Sequence, residues 1–384
     1  MKSTPRTSTP RTSASRTTAS RTTAAALAVS TAAALALTAC GGDSGGDSGN
    51  EITVAFAGAV NAPKEDVATY AVAKDQGFLD KEKLKVKTIN ADGSSAAIQA
   101  VTSRSADITA ADVGSILAAK EKGVPIKAIG GLVQNWPWRI AVKPDSPIKS
   151  GTDLKGKKIG VISLASGSAP YARAFAKDAG LDGQKDVDLL PVGIGTPAAS
   201  ALNTGKVDAL ALYTAPYAAI ENSGTKLRYL PNSAAFQGIR SLTFAAREDT
   251  IKKKKDALTR YLRSAYQGIL FSSVQPKGAM QIGFKTFPAM LSGQSAEQRL
   301  DGDTKVLQSF LDSATPAQGE PETFTNWGAI SDAEWNKTMA YTRSAGQITE
   351  NIQISDAWDP SLLAAANQFD GAQVISKAKA YGPK

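Results

Sequence analysis

The sequence contains no histidine and a single cysteine, Cys40, among its 384 residues. The absence of histidine excludes histidine-based acid–base catalysis, Cys–His nucleophile pairs and histidine-ligated zinc sites, and one cysteine cannot form a disulfide within the chain. The chain also lacks a Gly-x4-Gly-Lys-Ser/Thr phosphate loop and a nucleophile–base motif. We therefore expect a protein that is not an enzyme and that uses no cofactor and no metal. An enzyme that uses only carboxylates, Ser/Lys or Tyr is the alternative.

Most of the chain also lacks an excess of charge of one sign, although the formal net charge is +9. Residues 1–39 carry five basic side chains and no acidic one, and without this segment the net charge is +4. Such a balance is typical of an ordinary protein surface rather than of a nucleic-acid-binding surface. The one dense basic run, Lys252–Lys255, lies in a stretch with helical spacing and is interpreted as a solvent-exposed helix face.

The N-terminal segment is typical of an export signal. Residues 2–21 repeat Ser, Thr and Pro around an Arg every five residues, and residues 22–39 form an apolar run that is short and Ala-rich for a membrane span. Leu37-Thr38-Ala39-Cys40 resembles a bacterial lipobox, in which the cysteine thiol accepts the lipid. We predict a signal peptide over residues 1–39, then a lipidated Cys40 and a flexible tether over residues 40–50. The alternative is a plain signal peptide with an incidental cysteine.

From residue 51 onward, strand-like and helix-like segments alternate. Alternating apolar residues predict strands, and apolar residues three and four apart predict helices. The predicted strands are Ile52–Phe56, Leu84–Thr88, Ala106–Ala110, Ile126–Ile129, Arg139–Val142, Lys158–Val161, Val187–Leu190 and Val207–Ala211. The predicted helices are Asp66–Lys74, Ser94–Ser103, Gly114–Lys122, Ser168–Ala179, Pro197–Thr204, Ala215–Asn222 and Asp249–Leu270. This alternation predicts an α/β fold with mainly parallel sheets.

An internal similarity is the most informative feature of this region. Residues 106–123 align on residues 207–224 without a gap, and an aspartate and a glycine fall at matching positions. Identity is low, so the shared pattern of α/β units is an alternative explanation. A true repeat would place Asp112 and Tyr213 at equivalent positions just beyond the end of a strand, where open α/β sheets bind ligands. Two such lobes, facing each other, would form a cleft.

Several short motifs in a fixed order resemble those of one family of binding proteins. They are Ala73–Leu79 (AKDQGFL), Asp92–Ala97 (DGSSAA), Ser105–Ile108 (SADI), Lys122–Pro125 (KGVP), Asp153–Val161 (DLKGKKIGV) and Gly205–Ala209 (GKVDA). From about Glu51 to Leu270 the chain resembles the solute-binding proteins of ABC importers of the nitrate/sulfonate/taurine and thiamine-pyrimidine-precursor type. Beyond about residue 275 the match is looser, although Trp335 and Gly346–Ile348 resemble the C-terminal helical region of that family.

The resemblance implies a two-lobed, periplasmic-binding-protein-like fold of type II, in which two crossing strands form a hinge. We expect lobe one over residues 51–140 and 245–384, and lobe two over residues 145–240. The crossings are expected near Arg139–Val142 and Leu242–Ala246. A ligand that contacts both lobes would close the hinge, because the closed state binds it better than the open state.

Helix starts supply the first group of candidate ligand-binding residues. Free backbone N–H groups and hydroxyls at a helix N-terminus suit an oxyanion or a carbonyl oxygen. An ordinary helix cap is the alternative for each of them. The group comprises Gly93, Ser94, Ser95, Ser166, Ser168 and Thr196.

The second group lies near strand ends and the first crossing. Asp112 is a candidate acceptor for a ligand N–H or ammonium group, with a simple helix cap as the alternative. Trp136 and Trp138 suit stacking on a flat ring or covering an alkyl chain, with core packing as the alternative. Tyr213 is expected at the cleft. Asn61 follows the first strand, where family members often contact the ligand.

Two classes of ligand stay open. The aromatic residues and Asp112 favour a flat, nitrogen-bearing or amphipathic molecule such as a thiamine-type pyrimidine. The helix starts favour an anion such as an alkanesulfonate. One relative with this fold makes a thiamine pyrimidine from its own histidine, and a chain without histidine cannot carry out that reaction.

The predicted function is that of a monomeric solute-binding lipoprotein on the outer face of the bacterial cytoplasmic membrane. It would deliver a small-molecule ligand to an ABC permease and its ATPase, and it would bind no nucleic acid. A ligand-binding lipoprotein that feeds a sensor, or a carboxylate-based enzyme on the same fold, is the alternative.

Overall fold

The computed structural model describes residues 49–316 and 323–382. The predicted signal peptide, Cys40 and all but the last two residues of the predicted tether lie outside the described residues. Those that are described belong to one compact unit. None of the helices in these ranges combines the length and the hydrophobicity that crossing a membrane requires.

The described strands form two five-stranded sheets. The first sheet contains β1 (Glu51–Phe56), β2 (Lys85–Asn90), β3 (Ile108–Asp112), β4 (Ile126–Gly131) and β10 (Leu242–Arg247), in the order β2-β1-β3-β10-β4. The second contains β5 (Trp138–Val142), β6 (Lys157–Val161), β7 (Val187–Pro191), β8 (Ala209–Tyr213) and β9 (Arg228–Leu230), in the order β7-β6-β8-β5-β9. Strand β10 runs antiparallel to both of its neighbours, and so does β5. The two sheets therefore share one topology, and the predicted α/β fold is confirmed.

Helices fill the connections between strands and form most of the chain after β10. The α-helices are α1 (Val72–Asp75), α2 (Phe78–Lys81), α3 (Gly93–Thr102), α4 (Val113–Glu121), α5 (Ser168–Asp178), α6 (Thr196–Asn203), α7 (Thr214–Asn222), α8 (Glu248–Lys253), α9 (Lys255–Val274), α10 (Pro276–Thr286), α11 (Ala296–Ala314), α12 (Asp332–Ser344), α13 (Ile354–Ala357), α14 (Leu363–Ala366) and α15 (Gly371–Ala380). A π-helical segment spans Asp66–Ala71, and short 3₁₀ helices span Gly151–Leu154, Ala234–Phe236, Pro288–Leu291 and Pro360–Leu362.

Local sequence explains where the helices nearest the centre begin. Asp112 caps α4 by accepting a hydrogen bond from the backbone N–H of Gly114 at 3.0 Å. Helix α11 starts at a reciprocal capping box, in which Ser295 accepts from the backbone of Gln298 and the Gln298 side chain accepts from the backbone of Ser295. Such caps satisfy N–H groups that have no partner within the helix.

The chain passes between the two sheets twice. Residues 132–137 lead from β4 to β5, and residues 231–241 lead from β9 to β10. The strand that the chain enters on each passage, β5 or β10, is the antiparallel strand of the sheet it joins. Trp138–Val142 therefore lies within the second sheet and Leu242–Arg247 within the first.

The two stretches that align in the sequence adopt the same structure. Residues 108–121 form β3 and α4, and the equivalent residues 209–222 form β8 and α7. The carboxylate of Asp107 accepts from the backbone N–H of Thr53 in β1, and that of Asp208 accepts from Lys158 in β6, both at 2.8 Å. The sequence match thus corresponds to two copies of one structural unit, which places the ends of β3 and β8 at equivalent positions.

Each sheet has its own hydrophobic core. The largest cluster collects apolar side chains from residues 52–133 and 244–378 around the first sheet. Two smaller clusters take alternate residues of β5 and β8, so they lie on opposite faces of the second sheet. Tyr341 and Ala345, from the C-terminal region, pack into one of these smaller clusters.

The C-terminal region contacts both sheets. Helix α11 packs against α7 of the second sheet, where Thr214 donates to the carbonyl of Ser309 at 3.1 Å and Asn222 donates to that of Gly302 at 2.8 Å. Helices α9 and α10 pack around the π-helical segment that follows β1. This region therefore helps to set how the two sheets face each other.

Candidate ligand-binding site

A cavity of about 420 Å³ lies between the two sheets. Its walls come from residues 57–65 after β1, the start of α3, the ends of β3 and β8, the loops after β6 and β7, and the C-terminal end of α11. Parallel α/β sheets commonly bind ligands at the carboxyl ends of their strands, and this volume is in the range of small-molecule sites. Because both sheets supply walls, a molecule in the cavity would contact both.

Most of the predicted ligand-binding residues meet at this cavity, although they are far apart in the sequence. The predicted residues that line the cavity are Gly93, Ser94, Asp112, Trp138, Ser166 and Tyr213. The first three come from the first sheet and its helices, and the other three come from the second. The structure therefore brings residues from both predicted lobes to one place.

Asp112 is both a helix cap and part of the cavity wall. Its side chain is buried, its backbone N–H donates to the Ser94 hydroxyl at 3.0 Å, and the Gln347 side chain lies close enough to lower the pKa of its carboxyl group. Burial raises the pKa of Asp112 to about 6, against the opposing effect of the N–H groups of Ser115 and Gly114 and of Gln347. A carboxylate held this way is a strong acceptor for a ligand donor near neutral pH.

Trp138 and Tyr213 form an aromatic wall. They are paired residues of β5 and β8, and their rings meet edge to face with centroids 5.4 Å apart. The indole N–H of Trp138 donates to the Ser241 hydroxyl at 3.2 Å, which fixes the ring. Burial raises the pKa of Tyr213 to about 12, although nearby Lys64 opposes the shift, so the phenol stays protonated. Two aromatic rings in the cavity wall suit a flat ligand.

A buried cluster of charged residues, not identified from the sequence, forms another part of the wall. The Lys64 ammonium binds the carboxylates of Glu65 and Asp66, the latter at 2.8 Å, and Lys64 and Glu65 line the cavity. Burial alone would lower the pKa of Lys64, but Asp66 and Glu65 outweigh it and raise the pKa above its usual value. Burial also raises the pKa of Glu65. The lysine charge is therefore already neutralised within the protein.

The charges around the cavity are mainly negative. Among the described residues that line it, Lys64 is the one cation, whereas Glu65, Asp92 and Asp112 are acidic. No arginine is among these lining residues. The remaining polar groups are serine and threonine hydroxyls, the Tyr213 hydroxyl, the Trp138 indole N–H and backbone groups. The cavity therefore presents more hydrogen-bond acceptors than cations to a ligand.

Two predicted ligand-binding residues are buried away from the cavity. Trp136 lies in the first crossing segment and packs edge to face on Tyr341 of α12, with ring centroids 4.8 Å apart. Ser168 is fully buried at the start of α5, where its hydroxyl accepts from the backbone N–H of Ile162 at 2.9 Å. Core packing and local capping occupy these side chains.

Three others lie near the cavity without lining it. Asn61 donates to Asp66 at 3.4 Å and is not among the lining residues. Thr196 is exposed at the first turn of α6, and Gly193 and Ile194 line the cavity in its place. Ser95 is exposed, and its hydroxyl donates to a backbone carbonyl of the loop after β6 at 3.4 Å.

The loop after β6 closes the cavity against the first sheet. Gly167 packs so tightly that a Cβ atom there would lie 3.0 Å from the Trp138 ring and 3.3 Å from the Asp112 carboxylate. The hydrogen bond from Ser95 to Ala165 joins the same loop to α3. The carboxylate of Asp112 is thus covered by a backbone segment from the other sheet.

The close contact between Gly114 and Gln347 allows a test of whether Gln347 supports Asp112 in ligand binding. A Cβ atom at residue 114 would lie 2.3 Å from the side-chain oxygen of Gln347, so Gly114→Ala is expected to push that flexible side chain away. We expect a loss of ligand affinity of about three- to tenfold, with a change in unfolding free energy of about 1 kcal/mol. Calorimetric titration and thermal melting measure the two effects.

Gly302→Ala is the matched control, because its Cβ would meet no atom nearer than 3.6 Å. That variant should keep full affinity. Equal affinity of Gly114→Ala and the parent chain would show that Gln347 does not support Asp112 in binding.

This chain is similar to one protein family and to several known proteins. A family model described as NMT1/THI5 like matches residues 64–279. The riboflavin-binding protein RibY of Chloroflexus aurantiacus is 24% identical over 245 residues, which are 64% of this chain and 66%, just under two thirds, of that protein. The 4-amino-5-hydroxymethyl-2-methylpyrimidine phosphate synthase of Legionella pneumophila is 21% identical over 304 residues, which are 76% of this chain and 86% of that protein.

Among solved structures, the periplasmic aliphatic sulphonate binding protein SsuA of Escherichia coli has the same fold. It is 18% identical, with a TM-score of 0.59 over 81% of this chain and 93% of that chain. At this identity the likeness concerns the fold alone. Together with the two sheets of matching topology, it confirms the predicted two-lobed, periplasmic-binding-protein-like fold of type II.

Proposed function

Because the chain belongs to the NMT1/THI5-like family, we propose that it is an extracytoplasmic solute-binding protein of an ABC importer. It captures a small organic ligand between its two lobes and delivers it to a permease and its ATPase. The observation that carries this proposal is the cavity whose walls come from both sheets. A ligand there gains contacts that exist only when the lobes are together, so it stabilises the closed arrangement.

We place the hinge in the two segments that join the sheets, residues 132–137 and 231–241. Each is tied to the C-terminal helices: Asn135 donates to the carbonyl of Thr315 at 2.9 Å, and Arg240 binds Glu334 at 2.6 Å and the carbonyl of Gln134 at 3.0 Å. These contacts hold both segments at one side of the cavity. The lobes would then open on the side where the loop after β6 meets α3.

The charges of the cavity favour a nitrogen-bearing ring over an alkanesulfonate. A sulfonate needs an unpaired cation or several free N–H donors, but Lys64 is already bound to two carboxylates. It would also lie near Glu65, Asp92 and Asp112, and removing an anion from water beside other anions is costly. A neutral or cationic ring would instead donate an N–H to Asp112 and pack against Trp138 and Tyr213. Riboflavin and a pyrimidine, which occur in the names of two relatives, are nitrogen heterocycles.

Uptake of the bound ligand separates the importer from the sensor alternative. Cells that lack this chain are expected to lose most of their high-affinity uptake of the ligand, and the parent chain should restore it. Unchanged uptake, combined with a lost transcriptional response to the same ligand, would favour a binding protein that feeds a sensor.

A synthase among the relatives raises the enzyme alternative. The reaction that consumes a protein histidine is excluded, because this chain has none. We propose that the chain binds without catalysis. Prolonged incubation should return the ligand unchanged by mass spectrometry, and a product that accumulates over many turnovers would favour the carboxylate-based enzyme.

We also propose that Cys40 carries the lipid anchor after removal of residues 1–39. Cys40→Ser is expected to move the protein from the membrane fraction to the soluble extracellular fraction, because the thiol is the group that accepts the lipid. Immunoblots of fractionated cells measure this, with Ser44→Ala in the tether as a control that should stay on the membrane. Undiminished membrane retention of Cys40→Ser would refute the anchor.

A further inference from the structure

Cations gather around the point where the folded unit begins. Arg260 of α9 donates to the carbonyl of Gly49 at 2.8 Å and to the side chain of Asn50 at 3.0 Å. Lys254 donates to the carbonyl of Glu51 at 3.3 Å, and strand β2 pairs with β1 from Lys85 onward. The starts of β1, β2 and α9 therefore lie side by side, next to the residues that lead to the proposed anchor.

Six exposed lysines of this region have no ion-pair partner among the described residues. We call them the basic end: Lys81, Lys83, Lys85, Lys252, Lys253 and Lys255. Of the carboxylates nearby, Glu51 binds Lys87 at 2.5 Å and Asp107 binds Lys254 at 3.1 Å, whereas exposed Asp80 has no ion pair among the described residues. The surface therefore has a net positive charge that the protein does not neutralise, although the whole chain is only moderately basic.

The basic end is opposite the cavity and next to the residues that lead to the proposed anchor. The cavity lies at the carboxyl ends of the strands, whereas the basic end lies at the amino ends of β1 and β2. Residues 41–49, rich in glycine and serine, can span at most about 32 Å. A lipid on Cys40 would therefore keep the start of the folded unit within that reach of the bilayer, and surface charges attract over roughly 8–10 Å in physiological salt.

We propose that the basic end binds anionic phospholipid headgroups of the membrane to which Cys40 is anchored. This second, electrostatic contact rests the first lobe on the bilayer with the cavity turned away from the lipid. The proposed anchor determines which membrane the basic end meets. The attraction between its lysines and anionic headgroups does not require the anchor. Each lysine that lies close to an anionic bilayer raises the partition coefficient by about fivefold, and the factors of several lysines multiply.

Vesicle binding tests the proposal without the anchor. The Cys40→Ser protein is mixed with vesicles of phosphatidylglycerol and phosphatidylcholine, or of phosphatidylcholine alone, and the bound fraction is measured by flotation. We expect binding to the anionic vesicles that is lost in high salt. Changing Lys252, Lys253 and Lys255 together to Gln should lower the partition coefficient at least about tenfold.

The matched control changes three exposed, unpaired lysines of the second sheet and its loops, Lys149, Lys206 and Lys226, to Gln. This variant loses the same charge but should bind anionic vesicles nearly as well as the parent. Equal losses in the two variants would show that net charge alone acts, and no loss in the first would show that the basic end does not touch lipid. Either result overturns the proposal. The proposals on ligand binding and on the Cys40 anchor would stand, because calorimetric titration and cell fractionation test them independently.

Discussion

Replacing Asp112 with asparagine is expected to weaken ligand binding at least about tenfold and, at the same time, to raise the melting temperature of the ligand-free protein. The buried carboxylate is the acceptor proposed for the ligand N–H, and an amide is a weaker one. Asparagine caps a helix about as well as aspartate, so α4 should keep its start. The variant thus separates the effect of the buried charge on stability from its effect on ligand binding.

The sign of the stability effect follows from the pKa. Burial holds the pKa of folded Asp112 at about 6, above the usual value of 3.8, so the fold disfavours the ionised form. Stability from this group is full at low pH and is lost as pH rises through the window between these two values. At pH 7 the loss is on the order of 1–3 kcal/mol, and Asp112→Asn removes it.

Calorimetric titration and thermal melting between pH 5 and pH 8 measure both effects. For the parent chain, affinity should be about tenfold lower at pH 5 than at pH 7, because the ligand requires the ionised carboxylate. The variant should show no such dependence. Asp370→Asn, at an exposed helix cap far from the cavity, should leave affinity unchanged. A loss of stability in Asp112→Asn with unchanged affinity would make Asp112 a purely structural cap.

Tyr213→Ala is expected to reduce ligand affinity by about 10- to 100-fold with little change in the melting temperature of the ligand-free protein. The Tyr213 ring is half-buried at the cavity, contacts Trp138 edge to face, and has a hydroxyl without a hydrogen bond among the described residues. The ring therefore contributes little to the fold. A flat ligand would bury its exposed face, and an aromatic contact of this kind contributes strongly to binding.

Tyr217, one helical turn further on, provides the contrast. Its hydroxyl bonds the backbone N–H of Leu212 at 3.0 Å and the carbonyls of Leu210 and Arg139 at 2.7 and 2.9 Å, and its side chain is buried. Tyr217→Ala should lower the unfolding free energy by about 3–5 kcal/mol. If Tyr213→Ala lowers the melting temperature as much as Tyr217→Ala does, Tyr213 belongs to the core and not to a ligand site.

Local patterns were sufficient for most of the α/β framework. The strand predicted at Val187–Leu190 ends one residue later, at Pro191, and the helix predicted at Ser168–Ala179 ends one residue earlier. The gapless internal alignment also predicted that Asp112 and Tyr213 occupy equivalent strand ends. Hydrophobic periodicity and cap residues act over a few neighbouring residues, so the sequence shows them directly.

Features that depend on distant contacts were not predictable in this way. The run Lys64-Glu65-Asp66 looks like an ordinary hydrated helix start, and its burial depends on α9 and α10, which pack on the segment from some 200 residues away in the sequence. Gln347 reaches Asp112 from the C-terminal region, where the family resemblance was loosest. Neither contact leaves a local pattern.

Trp136 and Trp138 also show that contacts with distant residues cannot be predicted from the local sequence. Both are apolar residues near a crossing, and both are buried. Only Trp138 begins strand β5, opposite Tyr213, and so reaches the cavity. Trp136 stays in the crossing segment and packs on Tyr341, a residue about 200 positions further along the chain. Their separate roles depend on strand register and on α12, which the two residues themselves do not specify.

The most direct test of the account is a binding screen on the purified Cys40→Ser protein. The panel contains pyrimidines, thiamine, riboflavin-like rings, amino acids, polyamines, alkanesulfonates and nitrate, and calorimetry follows any thermal shift. We expect a neutral or cationic nitrogen heterocycle to bind, and a ligand at 100 times its dissociation constant to add about 2.7 kcal/mol of stability. A sulfonate as the tightest binder would contradict the ligand class, and a cooperatively folded protein that binds nothing in the panel would contradict a ligand site between the lobes.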